Sequence, residues 1–217
     1  MSLIAWSLML FAAHIMPPVP TSLPPLRVCI ALDVDARLPP AIQRRAVEEA
    51  ARIWAPYRVD VTLLAVPAAA SSAPERTVLT VRLAGPARGT TTASSSPFGS
   101  IQFVDGRPQP LVFLHYDAIG RAIANSALPG LREDRWPAAL RDHMLGRIAG
   151  RVLAHELGHF ILRSPRHASR GLMRPIQNVT ELIGGDGELF GLTSEDLNLL
   201  RAAMTLRRFA DMENAGG

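Results

Sequence analysis

Residues 145–162 of this 217-residue chain read LGRIAGRVLAHELGHFIL and contain His155-Glu156-Leu157-Gly158-His159, an H-E-x-x-H pattern. Their apolar side chains recur at close to helical spacing, so we predict a helix. Residues four apart lie on one helix face, about 6 Å apart along the axis, so His155 and His159 can offer two imidazole nitrogens to one metal ion. Two imidazoles suit Zn²⁺, and Glu156 beside them can take a proton from water that the metal activates. The stretch therefore predicts a catalytic zinc site.

A catalytic zinc ion usually keeps three protein ligands, and the residues that follow the motif offer His167 as the third. If the helix continued, His167 would lie about 12 Å beyond His159 along the axis, which is out of reach. Ser164-Pro165 ends the helix, because proline lacks the backbone donor and restricts the residue before it. The chain can then turn back towards the metal.

Gly171-Leu172-Met173-Arg174-Pro175 follows His167 and makes the pattern more specific. An H-E-L-G-H motif, a nearby third histidine and a GLM-R-P turn resemble the metzincin group of zincin metallopeptidases. In that group a methionine-containing turn forms the floor under three histidines, and the resemblance implies this role for Met173. Two positions depart from the usual H-E-x-x-H-x-x-G-x-x-H spacing. Leu162 stands in place of the glycine and Pro165 in place of the third histidine, so His167 comes two residues late.

The sequence leaves a second ligand arrangement open. Glu181 and Glu188 lie farther along the chain, where they suit a gluzincin-like site with a glutamate from a later helix as third ligand. We favour His167, because the GLMRP turn has no role in a gluzincin-like arrangement. His115 and His143 are expected to be surface histidines or hydrogen-bonded core residues.

Five segments have the pattern of strands and four have the pattern of helices. We expect strands at 26–32, 59–66, 78–83, 100–104 and 111–116, and helices at 39–55, 119–128, 136–162 (one helix or two abutting ones) and 191–204. The order of the first elements implies a crossover helix, and Asp105-Gly106-Arg107-Pro108 favours a hairpin between the last two strands. We therefore predict an α+β fold with a mixed five-stranded sheet, an active-site helix and a C-terminal helix. The resemblance to metzincins implies that the sheet has an antiparallel edge strand lining the cleft.

The composition is that of a single globular domain, with 48% hydrophobic and 19% charged residues. The net charge is +4, but the basic residues are all arginines, alternate with acidic residues and form no long run. We therefore expect no nucleic-acid partner. Cys29 is the only cysteine, which excludes an intramolecular disulfide and a thiolate zinc cluster.

The first residues, MSLIAWSLMLFAAHIMPPVP, form a short apolar stretch followed by prolines. The stretch is too short to span a membrane stably and has about the length of a signal-peptide core. We predict that residues 1–25 are a signal peptide or apolar leader, and that the protein is exported to the periplasm or secreted.

Residues 26–217 are predicted to form one zinc metallopeptidase domain. We expect it to act as a monomer and as an endopeptidase on peptide or protein substrates. A non-catalytic zinc-stabilised module is one alternative. A membrane-associated adaptor that retains the apolar N-terminus is another.

Overall fold

The computed structural model of the chain describes residues 25–33, 39–64, 76–83, 98–125, 136–176, 180–184 and 187–215. Within them the predicted α+β fold is confirmed, with one mixed five-stranded sheet and several helices. The leader predicted at residues 1–25 lies outside the described residues, except for Pro25. The last residues of the strand expected at 59–66 and of the helix expected at 119–128 also lie outside them.

The sheet has the strand order β2-β1-β3-β5-β4. Its strands are β1 (Leu26–Asp33), β2 (Val59–Leu63), β3 (Arg76–Leu83), β4 (Gly99–Val104) and β5 (Arg107–Leu114). The first three and β5 are parallel, whereas β4 runs antiparallel to β5 and forms one edge of the sheet. The expected antiparallel edge strand is therefore present, and it is the first strand of the hairpin.

The hairpin between β4 and β5 is tighter than the sequence suggested. Its turn consists of Asp105 and Gly106 alone, with φ angles of 49° and 72°. Positive φ at both central residues is the requirement of a two-residue type I′ turn, and an Asp-Gly pair meets it readily. The expectation that β5 begins at Leu111 is therefore wrong, because Arg107 and Pro108 already pair with β4.

In the described residues five α-helices accompany the sheet: α1 (Pro40–Trp54), α2 (Tyr116–Asn125), α3 (Ala138–Ile161), α4 (Thr180–Ile183) and α5 (Ser194–Ala215). Helix α1 makes the crossover between the parallel strands β1 and β2, as predicted. Helix α3 is one continuous helix of 24 residues and carries the H-E-x-x-H motif. The short helix α4 was not predicted, because four residues carry too little periodicity to be recognised.

From Met144 onwards, helix α3 is largely buried between α1 and the β4–β5 hairpin. Glycines bring α1 and α3 close together, since a Cβ at Gly150 would lie 2.5 Å from the carbonyl oxygen of Ala46. The indole Nε1 of Trp54, at the end of α1, donates a hydrogen bond to the carbonyl oxygen of Ala154 at 3.0 Å. The motif therefore lies on a helix held from several sides.

None of the helices that the structure describes has the length and apolar character needed to cross a membrane. Cys29, on β1, is buried, and its Sγ lies 3.7 Å from the hydroxyl of Thr62, which donates a weak hydrogen bond to it.

Candidate metal centre

Three histidines converge at the C-terminal end of α3. The Nε2 atom of His155 lies 3.2 Å from Nε2 of His159 and 3.2 Å from Nε2 of His167. Nitrogens bound at about 2.0–2.1 Å to a tetrahedral zinc ion are about 3.3 Å apart, so the observed spacing suits such an ion. Among the described residues this is the group that can hold a metal.

Backbone carbonyls determine which ring nitrogen of each helical histidine faces the site. Nδ1 of His155 lies 2.7 Å from the carbonyl oxygen of Leu172, and Nδ1 of His159 lies 2.7 Å from that of Ser164. A carbonyl only accepts, so each Nδ1 carries the proton and each Nε2 presents a lone pair. Such a hydrogen bond on the far nitrogen orients an imidazole and makes it a better metal ligand.

Burial keeps these histidines neutral at physiological pH. It lowers the pKa of His155 to about 3, and neighbouring His159 adds to the effect. Burial likewise lowers the pKa of His159 to about 4 and shifts the pKa of the more exposed His167 in the same direction. Metal binding requires unprotonated imidazoles, so the ring nitrogens are in the required state near pH 7.

The end of α3 explains how His167 reaches the other two histidines. Leu162 keeps right-handed helical geometry with a φ of −78°, and Arg163 takes a left-handed φ of 53°. The amide of Ser164 donates to the carbonyl oxygen of His159 at 3.2 Å, which is the long bond of a Schellman helix end. The left-handed position that glycine occupies in the metzincin spacing is therefore filled one residue later, by Arg163, and Leu162 is not strained.

The GLMRP turn closes the loop that carries His167. The amide of Arg174 donates to the carbonyl oxygen of Gly171 at 3.2 Å, and the amide of Ala168 donates to that of Met173 at 2.9 Å. Gly171 has a φ of 76°, and a Cβ there would lie 2.3 Å from the carbonyl oxygen of Gly191. A glycine is therefore required here on two grounds, conformation and close approach.

Met173 lies beneath the motif. Its side chain is 1% exposed, and a Cβ on Gly158 would lie 2.2 Å from its sulfur. The absence of a side chain at Gly158 is therefore what lets Met173 pack against α3 at this position. The indole of Trp54 borders the same place, at 3.6 Å from that Cβ position.

Glu156 is the buried acid of the site. Its side chain is 0% exposed, and neither carboxylate oxygen has a hydrogen-bond partner among the residues that the structure describes. Burial raises its pKa well above the ordinary value for glutamate. A Cβ at Gly99 would lie 2.9 Å from Oε1, so the carboxylate faces the first residue of the edge strand β4. A carboxyl in this setting is suited to accept and return a proton.

The other candidate ligands lie elsewhere or are not described. The carboxylate of Glu181, on α4, is paired with the guanidinium of Arg174 at 2.7 Å and does not belong to the histidine group. The side chain of Glu188 lies outside the described part of the structure. His115 is buried just after β5, and His143 is exposed on α3, as expected for a surface histidine.

Arg151 was missed by the sequence analysis. It lies on α3 one turn before His155, is 0% exposed and forms an ion pair with Glu49 at 3.0 Å. Its Nη1 donates to the carbonyl oxygens of Leu182 and Gly184, and its guanidinium carbon lies 4.4 Å from the centre of the Phe190 ring. The sequence did contain a feature that pointed to this residue, because an arginine interrupts the apolar stretch of the motif helix on the same face as His155.

No protein-family model matches this chain, and a comparison with curated protein sequences finds no significant match. The described residues themselves show an α+β fold with a mixed five-stranded sheet, and three histidines on α3 and the following loop that can hold one metal ion.

Proposed function

We propose that this protein is an exported zinc-dependent endopeptidase that resembles the metzincins. The observation that carries the proposal is Glu156, a fully buried carboxyl with no hydrogen-bond partner among the described residues, adjacent in sequence to the metal-binding histidine His155. Burying such a group costs several kcal/mol when nothing compensates it. A metal site that only stabilised the fold would have no need of an acid at this position.

His155, His159 and His167 would hold the zinc ion through their Nε2 atoms. A bound Zn²⁺ acts as a Lewis acid that polarises a peptide carbonyl and lowers the pKa of water. Three protein ligands on a four-coordinate ion leave one position for water or substrate, as catalytic zinc requires.

Glu156 would perform the proton transfers. It takes one proton from the attacking water as the oxygen bonds to the peptide carbonyl carbon, and it returns that proton to the leaving amine nitrogen as the C–N bond breaks. A pKa above the ordinary value for glutamate suits both roles, because it makes the carboxylate a stronger base towards water, and the resulting carboxyl group can return the proton.

The edge strand β4 supports an extended peptide as substrate. Its outer side carries backbone donors and acceptors that no other strand of the described sheet uses, and such an edge can pair with a peptide backbone. Gly99 begins this strand directly beside Glu156, so a peptide paired with β4 would pass the acid and the metal.

Glu156→Gln tests the proposal. The amide is nearly isosteric but cannot act as a base, so we expect the variant to retain about one zinc per chain and its fold while losing about 10²-fold or more in peptide cleavage. The measurements are zinc content by elemental analysis and cleavage of a quenched fluorescent peptide library. His143→Ala, which alters an exposed histidine on the same helix, is the matched control and should behave as wild type. If Glu156→Gln cleaves as fast as wild type, or wild type binds zinc and cleaves nothing, the zinc-stabilised module becomes the better account.

A further inference from the structure

Arg151 is a buried cation that the proposed chemistry does not use. Its Nε donates to Oε1 of Glu49 at 3.0 Å, while its Nη1 donates to the carbonyl oxygens of Leu182 and Gly184, the latter at 2.7 Å. The ring of Phe190 lies against the guanidinium plane. One side chain of the motif helix thus binds the segment around α4, more than 30 residues away along the chain.

The segment around α4 is connected through hydrogen bonds to His155, one of the proposed metal ligands. Gly191, next to Phe190, accepts a hydrogen bond from the amide of Leu172 at 2.8 Å. The carbonyl oxygen of the same Leu172 accepts the Nδ1 proton of His155 at 2.7 Å. The path therefore leaves α3 at Arg151, passes through the segment and the GLMRP turn, and returns to α3 at His155, one helical turn later.

The geometry of guanidinium is what this arrangement needs. Its planar fork has five donors, and here they serve a carboxylate on α1 and two carbonyls after α3 at the same time. A lysine ammonium keeps the charge but lacks the second arm and the flat face that stacks on Phe190. An ion pair that only joined α1 to α3 would be satisfied by Glu49 alone.

We propose that Arg151 is a positioning residue for the metal site. By holding Leu182, Gly184 and Phe190, it fixes Gly191 and Leu172, and so sets the hydrogen bond that orients the His155 imidazole. The inference rests on the proposed zinc site but not on peptide cleavage. Loss of these Arg151 contacts should alter metal affinity and coordination geometry, and not only the stability of the fold.

Two substitutions and one control test the positioning role. Arg151→Lys keeps the charge beside Glu49 and removes the fork. Phe190→Leu keeps every hydrogen bond of Arg151 and removes the stacked ring. Arg147→Met is the matched control, because Arg147 approaches the same Glu49 oxygen at 3.9 Å from one helical turn earlier.

The readouts are zinc affinity by chelator competition, the visible spectrum of the Co²⁺-substituted protein, and the chemical shift of His155 Nδ1 in ¹⁵N-labelled zinc protein. We expect Arg151→Lys to weaken zinc binding by up to about 10-fold, the lower end of the loss typical when the outer partner of a ligating histidine is removed, because it shifts the Leu172 carbonyl without deleting it, and to change the Co²⁺ spectrum. Phe190→Leu should change the same readouts in the same direction, and by less than Arg151→Lys does. Arg147→Met should match wild type in all of them. In the active enzyme, kcat should fall while KM stays within about twofold.

The outcomes separate positioning from structure. A folded Arg151→Lys protein with wild-type zinc affinity and Co²⁺ spectrum overturns the inference, even if it unfolds at a lower temperature. If circular dichroism shows that Arg151→Lys does not fold, Phe190→Leu decides, and wild-type values there overturn it as well. Failure of the wild-type protein to cleave peptides would defeat the proposed function and leave these metal readouts intact.

Discussion

Gly158→Ala tests the packing of Met173, because helix propensity predicts that the substitution raises the free energy of unfolding, whereas packing predicts that it lowers it. In an exposed helix, alanine is more favourable than glycine by about 1 kcal/mol. In this protein the new Cβ would lie 2.2 Å from Sδ and 3.0 Å from Cε of Met173. Ordinary contacts are about 3.5–4 Å, so the sulfur must move by roughly 1.5 Å.

The size of the effect follows from the burial of Met173. Its thioether is flexible, but the side chain is 1% exposed, so moving it displaces core neighbours. Overpacking of this kind costs about 1–3 kcal/mol, and we take the upper end because the overlap is severe. The gain of about 1 kcal/mol in helix propensity offsets part of this cost, so the free energy of unfolding should fall by about 2 kcal/mol. That change lowers Tm by roughly 4–8 °C for a chain of this size.

The assay is urea and thermal unfolding of the chelator-treated protein, since bound zinc adds its own stabilisation. Gly120→Ala on α2 is the control, because a Cβ there meets nothing within 4 Å and should stabilise by up to about 1 kcal/mol. Gly158→Ala combined with Met173→Ala should recover part of the loss, with a coupling of about 1–3 kcal/mol. If Gly158→Ala stabilises the protein as Gly120→Ala does, Met173 does not pack under the motif as described.

Three further predictions concern the ligands, their titration and the edge strand. His167→Ala should weaken zinc binding by about 100-fold or more, beyond the loss typical of an outer partner, and a larger effect of Glu181→Ala would instead support the gluzincin-like alternative. In the metal-free protein, the folded pKa values of about 3 for His155 and about 4 for His159 lie below the ordinary 6.5, so the unfolded chain binds more protons as pH falls below 6.5. Burial also lowers the pKa of His167, while Glu156, whose pKa is raised by burial, offsets part of the loss; each helical histidine contributes at most about 1.4 kcal/mol per pH unit, so the free energy of unfolding should fall from pH 6.5 to 5, and a flat urea midpoint over that range would contradict this. Methylation of single backbone amides in a peptide substrate should raise KM by about tenfold at the positions that pair with β4, and equal KM for the whole methylated series would show that substrate is held elsewhere.

Much of the fold could be predicted from the sequence, because it depends on patterns among residues that are close together along the chain. The period of the apolar residues around the motif predicted α3, and the alternation of the strand segments predicted five strands within a few residues. Asp105-Gly106 predicted the hairpin, since the conformational preferences of those two residues act within the turn itself. His155 and His159 were recognisable for the same reason, because helix geometry alone puts residues four apart on one face.

The position of His167 was only partly predictable from the sequence. Sequence predicted that the helix ends by Ser164-Pro165 and showed that a histidine follows, but it did not show how the chain turns. That depended on Arg163 taking a left-handed conformation and on the Ser164 carbonyl meeting His159, both of which are settled by contacts formed only after α3 is packed. Glu181 remained the less favoured alternative ligand in sequence, and its pairing with Arg174 in three dimensions separates it from the site.

The sequence by itself determined the chemistry of the centre: two imidazoles, an adjacent acid and the helix that carries them, all set by residues within one helical turn. Tertiary structure alone decided the surroundings that give these groups their properties. Burial beside Gly99 leaves Glu156 without a hydrogen-bond partner among the described residues, and Leu172 and Arg151 join distant segments to orient His155. Burial and long-range hydrogen bonds depend on which segments meet in space, and spacing along the chain does not contain that information.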